Sequence, residues 1–280
     1  MAYKTISIIV TDEASDAGVL NAAVAFAQRE EAHLDVYCLG IEPVRYDAAP
    51  LGAAPILALS DAGEAQAQAE ALTKWAEGEV KGAFCPVVVE PVTAASLGLE
   101  PAIARVLRYS DLIIAAQPYG EGSTPLQATI VEAALFGTSA PVLVIPPRGI
   151  DYSRAFERPL VAWNESDESL ATVRKSISAL QAAQRTEIVL VDPPSHSPER
   201  SDPGGSVCIM LARHGIKSEV SILAKTMPRV AEVINRHAQE NSSDLIVMGA
   251  YGHSRFKQAI FGGATRDMLE TAQIPVMMAH

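Results

Sequence analysis

The residues of this chain that could do chemistry by their type and spacing form one glycine-rich segment. Gly249 and Gly252 follow an apolar run typical of a buried strand, and Gly262 and Gly263 precede a pattern typical of a helix. Because glycine has no Cβ, backbone N–H groups in such a segment can approach an anion closely, and the start of a helix favours negative charge. The segment therefore predicts a phosphate-binding loop.

Neighbouring residues add further polar groups to this loop. Ala264 and Thr265 offer a backbone N–H and a hydroxyl at the helix start, and His253 is either a phosphate contact or a solvated loop residue. Three cations that are close in sequence could neutralise phosphate oxygens: Arg255, Lys257 and Arg266. A structural alternative stays open, in which the glycines serve only turns and the packing of helices on the sheet.

The rest of the sequence offers little catalytic chemistry. The six histidines are scattered without the spacing of metal ligands, and no nucleophile stands beside a recognisable general base. The sequence therefore predicts no catalytic residue and no protein-built metal site, so any hydrolysis should be slow and incidental.

The composition limits the partners of the chain. A net charge of −11 over 280 residues argues against nucleic acid or an anionic membrane as a partner. No apolar run reaches the roughly 18–20 residues that cross a bilayer, and no signal-peptide pattern is seen. Cys38, Cys85 and Cys208 form neither a CxxC motif nor a disulfide framework, so a cytoplasmic location is expected.

The elements that must position the loop come from an internal duplication. The segment 110–116 matches 243–249, and the segment 140–145 matches 274–279. The first copy carries about 20 extra residues before its middle, in a region with a long helix pattern. The chain therefore divides into two related units of similar organisation.

Both copies alternate apolar strands with helices, which predicts an α/β fold of two tandem doubly wound parallel sheets. A breaker-rich segment separates them and gives domains of residues 1–150 and 151–280. In the second copy, Ser166 or Asp167 should cap one helix that runs to about Ala182. Ligands of such sheets bind at the carboxyl ends of the strands, where Gly249 is expected.

The spacing Gly249-x2-Gly252-x9-Gly262, with Asp-Leu-Ile-Val-Met before it and Ile-Pro-Val after it, resembles the glycine signature of the universal stress protein family. The likeness covers both copies and implies sheets with the strand order 3-2-1-4-5. Family members that bind ATP hold its ribose and phosphates in this loop. Their adenine lies against the ends of the first two strands, which here are the positions of Asn164 and Val191.

Two residues depart from the family pattern. Gly263 stands where Ser or Thr is usual, and Thr265 could supply the hydroxyl instead. Asn164 replaces the usual Asp, and its amide can bond an adenine edge without a negative charge. Trp163 beside it either stacks on a base or belongs to the core.

The first copy has lost the glycine motif. Ala116 replaces the first glycine, Pro118 removes a backbone donor, and Glu121 would repel phosphate. Asp12 matches the family Asp at the end of the first strand, but without the loop it should cap a helix or be solvated. Nucleotide binding is therefore expected in the second copy, with the first copy as structural support.

The resemblance implies a stress-response protein that binds ATP, together with Mg²⁺, and presents a changed surface to protein partners. Family members pair through their last strands, so Val142–Ile145 and Val276–Met278 should pair within one chain as an intramolecular pseudo-dimer. Two chains could associate further as a homodimer. Two alternatives remain: an interaction protein without nucleotide, whose loop is kept for structure, and a weak ATP-hydrolysing enzyme.

Overall fold

The computed structural model describes residues 3–42, 44–46, 57–59, 62–119, 123–193, 201–251 and 263–280. Most of the predicted glycine loop, including Gly252, His253 and Gly262, lies outside these ranges. The same is true of Arg255, Lys257 and Glu121.

The first half of the chain contributes a five-stranded parallel sheet and a separate small hairpin. Its strands are β1 (Thr5–Val10), β2 (His33–Glu42), β3 (Val44–Tyr46), β4 (Leu57–Leu59), β5 (Val87–Ala95), β6 (Leu112–Ala116) and β7 (Val142–Ile145). The hairpin is formed by β3 and β4, and the other strands follow the order β5-β2-β1-β6-β7. Its helices are α1 (Glu13–Glu30), α2 (Ala62–Glu79), α3 (Leu99–Leu107) and α4 (Pro125–Gly137).

The second half repeats this arrangement. Its strands are β8 (Pro159–Ala162), β9 (Thr186–Val191), β10 (Ser218–Leu223), β11 (Leu245–Gly249) and β12 (Val276–Ala279). Their order, β10-β9-β8-β11-β12, is the 3-2-1-4-5 order of the first half. Its helices are α5 (Asp167–Lys175), α6 (Ile177–Gln181), α7 (Gly205–Arg213), α8 (Val230–Glu240) and α9 (Ala264–Thr271).

The two halves meet in one antiparallel pair of strands. Val276 of β12 lies opposite Val144 of β7, and Met278 lies opposite Val142. This is the pairing expected from the sequence, and it joins the two parallel sheets into one ten-stranded sheet.

The central strands β6, β7, β11 and β12 are almost wholly apolar because helices cover both faces of the sheet there, whereas the edge strands β5 and β10 carry polar and exposed residues. Residues alternate between two hydrophobic cores, one on each face: Ile8 of β1 belongs to one core, and Ile9 to the other. Each core continues across the seam between the halves, since Met277 and Met278 of β12 also divide between them. No helix within the described ranges is long and apolar enough to cross a membrane.

The prediction of one helix from residue 167 to about Ala182 was wrong, because this segment forms two helices, α5 and α6. Ser176 separates α5 from α6 and has φ −97° and ψ 1°. Its hydroxyl donates to the carbonyl oxygen of Thr172 at 2.8 Å, and such a bond within a helix competes with the regular backbone pattern.

The extra residues of the first half include the 18-residue α2, where the second half has the nine-residue α7.

Candidate functional site

The carboxyl ends of β8, β9 and β11 form the edge at which a ligand of this fold would bind. Ala162 of β8 lies level with Val189 of β9 and with Met248 of β11. Asn164 and Val191 each lie two residues further along, so the two predicted base contacts come to the same height at neighbouring strand ends. This edge is where the strand order reverses, between β8 and β11.

The start of α9 lies against the end of β11. Gly263 is the N-cap of this helix and has no side chain with which to accept a backbone N–H of the first turn. Thr265 is 4% exposed, and its hydroxyl oxygen accepts a hydrogen bond from the backbone N–H of Tyr251 at 3.0 Å. The helix start and the strand end are thereby held together, with Ala264 in the first turn.

Gly249 has a packing role that needs no ligand. A Cβ at this position would lie 2.5 Å from the backbone nitrogen of Ser169 and 2.8 Å from the carbonyl carbon of Glu168. Both atoms belong to the first turn of α5, which approaches β11 too closely for any side chain. The structural alternative therefore accounts for Gly249, and close approach to a phosphate is not required to explain it.

The two residues after β8 have different environments. Trp163 is 8% exposed and belongs to the hydrophobic core, so its ring is a core residue. Asn164 is exposed, and its amide oxygen accepts the backbone N–H of Ser166 at 3.3 Å. This bond lies just before α5 and leads the chain into the helix. The amide nitrogen of Asn164 is the group that could still donate to a base.

Aromatic residues of the first half contact the flanks of the glycine loop. The guanidinium of Arg266 lies 4.8 Å from the centre of the Tyr119 ring. The rings of Phe136 and Tyr251 lie 5.0 Å apart, and Phe136 also contacts His280 at 4.8 Å. Arg266, expected as a phosphate contact, thus stacks on the other half. Burial, followed by the charge of Glu132, raises the pKa of Tyr119, so its phenol stays neutral.

Sequence reasoning missed these contacts across the seam. Tyr119 and Phe136 carry no motif, and only the antiparallel pairing of β7 with β12 brings them to the second half. The one signal in the sequence was that an aromatic residue follows each of two strand ends, Tyr119 after β6 and Tyr251 after β11.

At the matching edge of the first half, side chains accept backbone N–H groups of the helix starts. At the start of α4, the Gln127 side-chain oxygen accepts the backbone N–H of Thr124 at 3.0 Å. Pro125 follows as the first residue of the helix and has no N–H. Asp12 caps α1 by accepting the Ser15 N–H at 2.9 Å. At this edge the N–H groups of Thr124 and Ser15 are thus already bonded to side chains, and Pro125 offers none.

The sheet order and its switch points define a doubly wound α/β protein. Residues 155–280 match the model of the family described as "Universal stress protein family". The match therefore identifies a universal stress protein domain in the second half of the chain.

One relative by sequence and two solved structures are similar to parts or all of this chain. Universal stress protein Slr1230 of Synechocystis sp. is 33% identical over 100 residues, which cover 36% of this chain and 34% of that protein. The match therefore spans about a third of that relative's length. A universal stress protein from Archaeoglobus fulgidus covers 98% of this chain and 95% of its own, with a TM-score of 0.70 and 15% identity, which shows a shared fold. A universal stress protein solved in complex with cAMP covers 45% of this chain and 98% of its own, at 19% identity and a TM-score of 0.39.

Proposed function

We propose that the second half of this chain binds a nucleotide, ATP together with Mg²⁺, and acts as a stress-response module whose surface changes with occupancy. The observation that carries the proposal is the difference between two equivalent helix starts. Gly263 has no side chain that could cap the start of α9, whereas the Gln127 side chain accepts the Thr124 N–H at the start of α4. An uncapped helix start beside a strand end is a favourable place for phosphate.

The base would lie against the ends of β8 and β9. Asn164 offers amide donors at the position level with Val191, and the partly buried Val191 offers an apolar wall. The ribose and phosphates would then extend toward Gly249, Gly252, His253 and the segment from Gly262 to Thr265. The nucleotide would thus run along the edge of the sheet, from the ends of β8 and β9 to the start of α9.

The first half would serve as the intramolecular partner of this site. We propose domains of residues 1–150 and 151–280 in a cytoplasmic protein without a nucleic-acid or membrane partner. The stacking of Tyr119 on Arg266 and of Phe136 on Tyr251 supports a role of the first domain in holding the loop. Further association of two chains as a homodimer is part of the same proposal.

Calorimetric titration with ATP and MgCl₂ tests the proposal. We expect saturable binding at one site per chain, and Gly263→Leu should weaken it at least about tenfold because a large side chain would crowd the helix start. Gly98→Leu is the matched control, since Gly98 is likewise an N-cap glycine without a side-chain bond and a Cβ there meets nothing within 4 Å. Absence of saturable ATP binding by the unaltered protein would reject the proposal.

A second candidate is favoured by the packing of Gly249 against α5. In this alternative the glycines are kept for helix packing, and the chain is an interaction protein without nucleotide. It predicts that ATP changes neither the melting temperature nor the calorimetric signal, while Gly249→Ala still destabilises the fold. Hydrolysis of ATP at this site would require a turnover that is lost in Gly263→Leu. Turnover that persists unchanged in this variant would therefore count against hydrolysis here.

A further inference from the structure

The two outer strands of the ten-stranded sheet, β5 and β10, differ in the backbone edge that they present. Backbone groups of a strand point alternately toward its neighbour and away from it. Just before β5, the Pro86 carbonyl accepts the Leu34 N–H of β2, so Pro91 of β5 points the other way, away from β2. Proline has no N–H, and on an outer edge it hinders pairing with a further strand.

The outer edge of β10 has no such interruption. The Asp192 N–H, just after β9, donates to the Leu223 carbonyl, so Leu223 and every second residue before it face β9. Ser218, Val220 and Ile222 therefore point their backbone N–H and C=O groups outward. Among the described residues, no strand pairs with this side of β10. Such a row of backbone groups is a template for another strand.

The same edge exposes apolar side chains. Val220 and Ile222 are 36% and 55% exposed, and Ile209 of α7, which packs on β10, is 55% exposed. In the described part of the second half, the exposed large apolar side chains all lie here. The cause is the length of α7, which has nine residues where α2 of the first half has 18, so it covers less of its outer strand.

The charges beside this edge are arranged symmetrically about Ile222. Glu219 lies three residues before Ile222, and Lys225 lies three residues after it. In an antiparallel pair of two β10 strands with Ile222 opposite Ile222, each Glu219 therefore lies opposite Lys225 of the other chain. The ion pair of Glu219 with Arg185 of its own chain uses Oε1, and 44% of the Glu219 side chain is exposed, so Oε2 can meet a second cation.

Two neighbouring registers, which also place outward backbone groups opposite each other, have poorer charge pairing. With Ser221 opposite Ser221, Lys217 lies opposite Lys225, and the like charges repel. With Val220 opposite Val220, Glu219 lies opposite Ser221 and gains no ion pair. Charge complementarity therefore favours the register centred on residue 222.

We propose that two copies of this chain associate through β10, as an antiparallel and two-fold symmetric pair with Ile222 of each chain at the centre. Two ten-stranded sheets would then continue into one, joined as β7 and β12 join the two halves of each chain. The exposed apolar groups of α7 and β10 would meet their counterparts on one face of the joined sheet. The proposal gives the homodimer proposed above its surface and rests on that association, but not on nucleotide binding.

Sedimentation velocity of the full chain over a range of concentrations tests the proposal. We expect a monomer–dimer equilibrium, and Ile222→Pro should weaken it at least about tenfold by removing two backbone hydrogen bonds per dimer. The Ile222 N–H faces away from β9, so this variant keeps the bonds within the sheet and should retain its circular dichroism. Thr93→Pro is the matched control, because its N–H points outward from the other outer strand, β5, and association should be unchanged.

Charge reversal tests the register without altering a strand. Lys225 is exposed and follows β10, so its variants should fold normally. Lys225→Glu should weaken association about three- to tenfold by placing like charges opposite each other, and Lys225→Arg should retain it. Equal affinities in these two variants would overturn the register.

The outcomes separate the surface from the homodimer itself. A chain that stays monomeric at every concentration would overturn both. A dimer that Ile222→Pro leaves unchanged, or that Thr93→Pro weakens equally, would overturn the assignment to β10 and leave the homodimer standing. Loss of ATP binding in the calorimetric titration would change none of these results.

Discussion

Gly249→Ala separates the packing role of the glycine loop from a role in binding phosphate. The added Cβ would lie 2.5 Å from the Ser169 nitrogen, 2.8 Å from the Glu168 carbonyl carbon and 3.0 Å from the Ser169 Cα. All three are backbone atoms, so no side-chain rotation can relieve the contact. Restoring an ordinary separation requires α5 to move from β11 by about 1 Å, which breaks close packing along both elements.

Overpacking of this kind typically costs about 1–3 kcal/mol, and the upper part of that range applies here because the obstacle is helix backbone. With a urea dependence of about 1–3 kcal/mol per molar, the unfolding midpoint should fall by about 1 M. The measurement can follow Trp163, which is buried in the second half, in a Trp75→Phe background that removes the other tryptophan.

Gly78→Ala is the control for Gly249→Ala. It lies within α2, where a Cβ meets nothing within 4 Å, so it should stabilise the helix by about 0.5–1 kcal/mol. A midpoint for Gly249→Ala within about 0.2 M of the unaltered protein would refute the reasoning, since α5 could then not lie against Gly249.

Two further predictions concern side chains that hold the strand ends. Thr172→Val should lower the free energy of unfolding by about 1–3 kcal/mol, because the buried Thr172 hydroxyl oxygen accepts the Ala279 N–H at 3.0 Å and valine would leave that donor unbonded. Thr172→Ser keeps the hydroxyl and should retain most of the stability in the same urea titration. Equal losses of stability in both variants would contradict this reasoning. Hydrogen bonds from Ser15 lower the pKa of Asp12. The stabilising effect of the ionised Asp12 should therefore be present above pH about 4 and be lost as the pH falls through its folded-state pKa. The melting temperatures of Asp12→Asn and the unaltered protein should converge in acid, and a constant difference from pH 7 to pH 2 would disprove the linkage.

The sheet was predictable from the sequence because its strands are continuous apolar runs. The segment 245–249 and its counterpart 112–116 could be recognised without any ligand, and their repetition gave the two related halves. The break at Ser176 was not predictable, since serine is common within helices and only its bond to Thr172 marks the interruption.

The candidate site was less predictable than the fold. The sequence places Asn164 and Val191 at strand ends, but it cannot tell that Gly249 faces the backbone of α5 or that Thr265 accepts a bond from Tyr251. Those contacts depend on how closely elements distant in sequence approach each other.

The antiparallel pair of β7 and β12 also has a consequence for synthesis of the chain on the ribosome. The first half can complete its five strands while β7 is still an open edge with unpaired backbone groups. That edge is closed only when Val276–Ala279 arrives, more than a hundred residues later. An open apolar edge can pair with a neighbouring chain, so the interval between the two strands is when this protein is most exposed to misassembly.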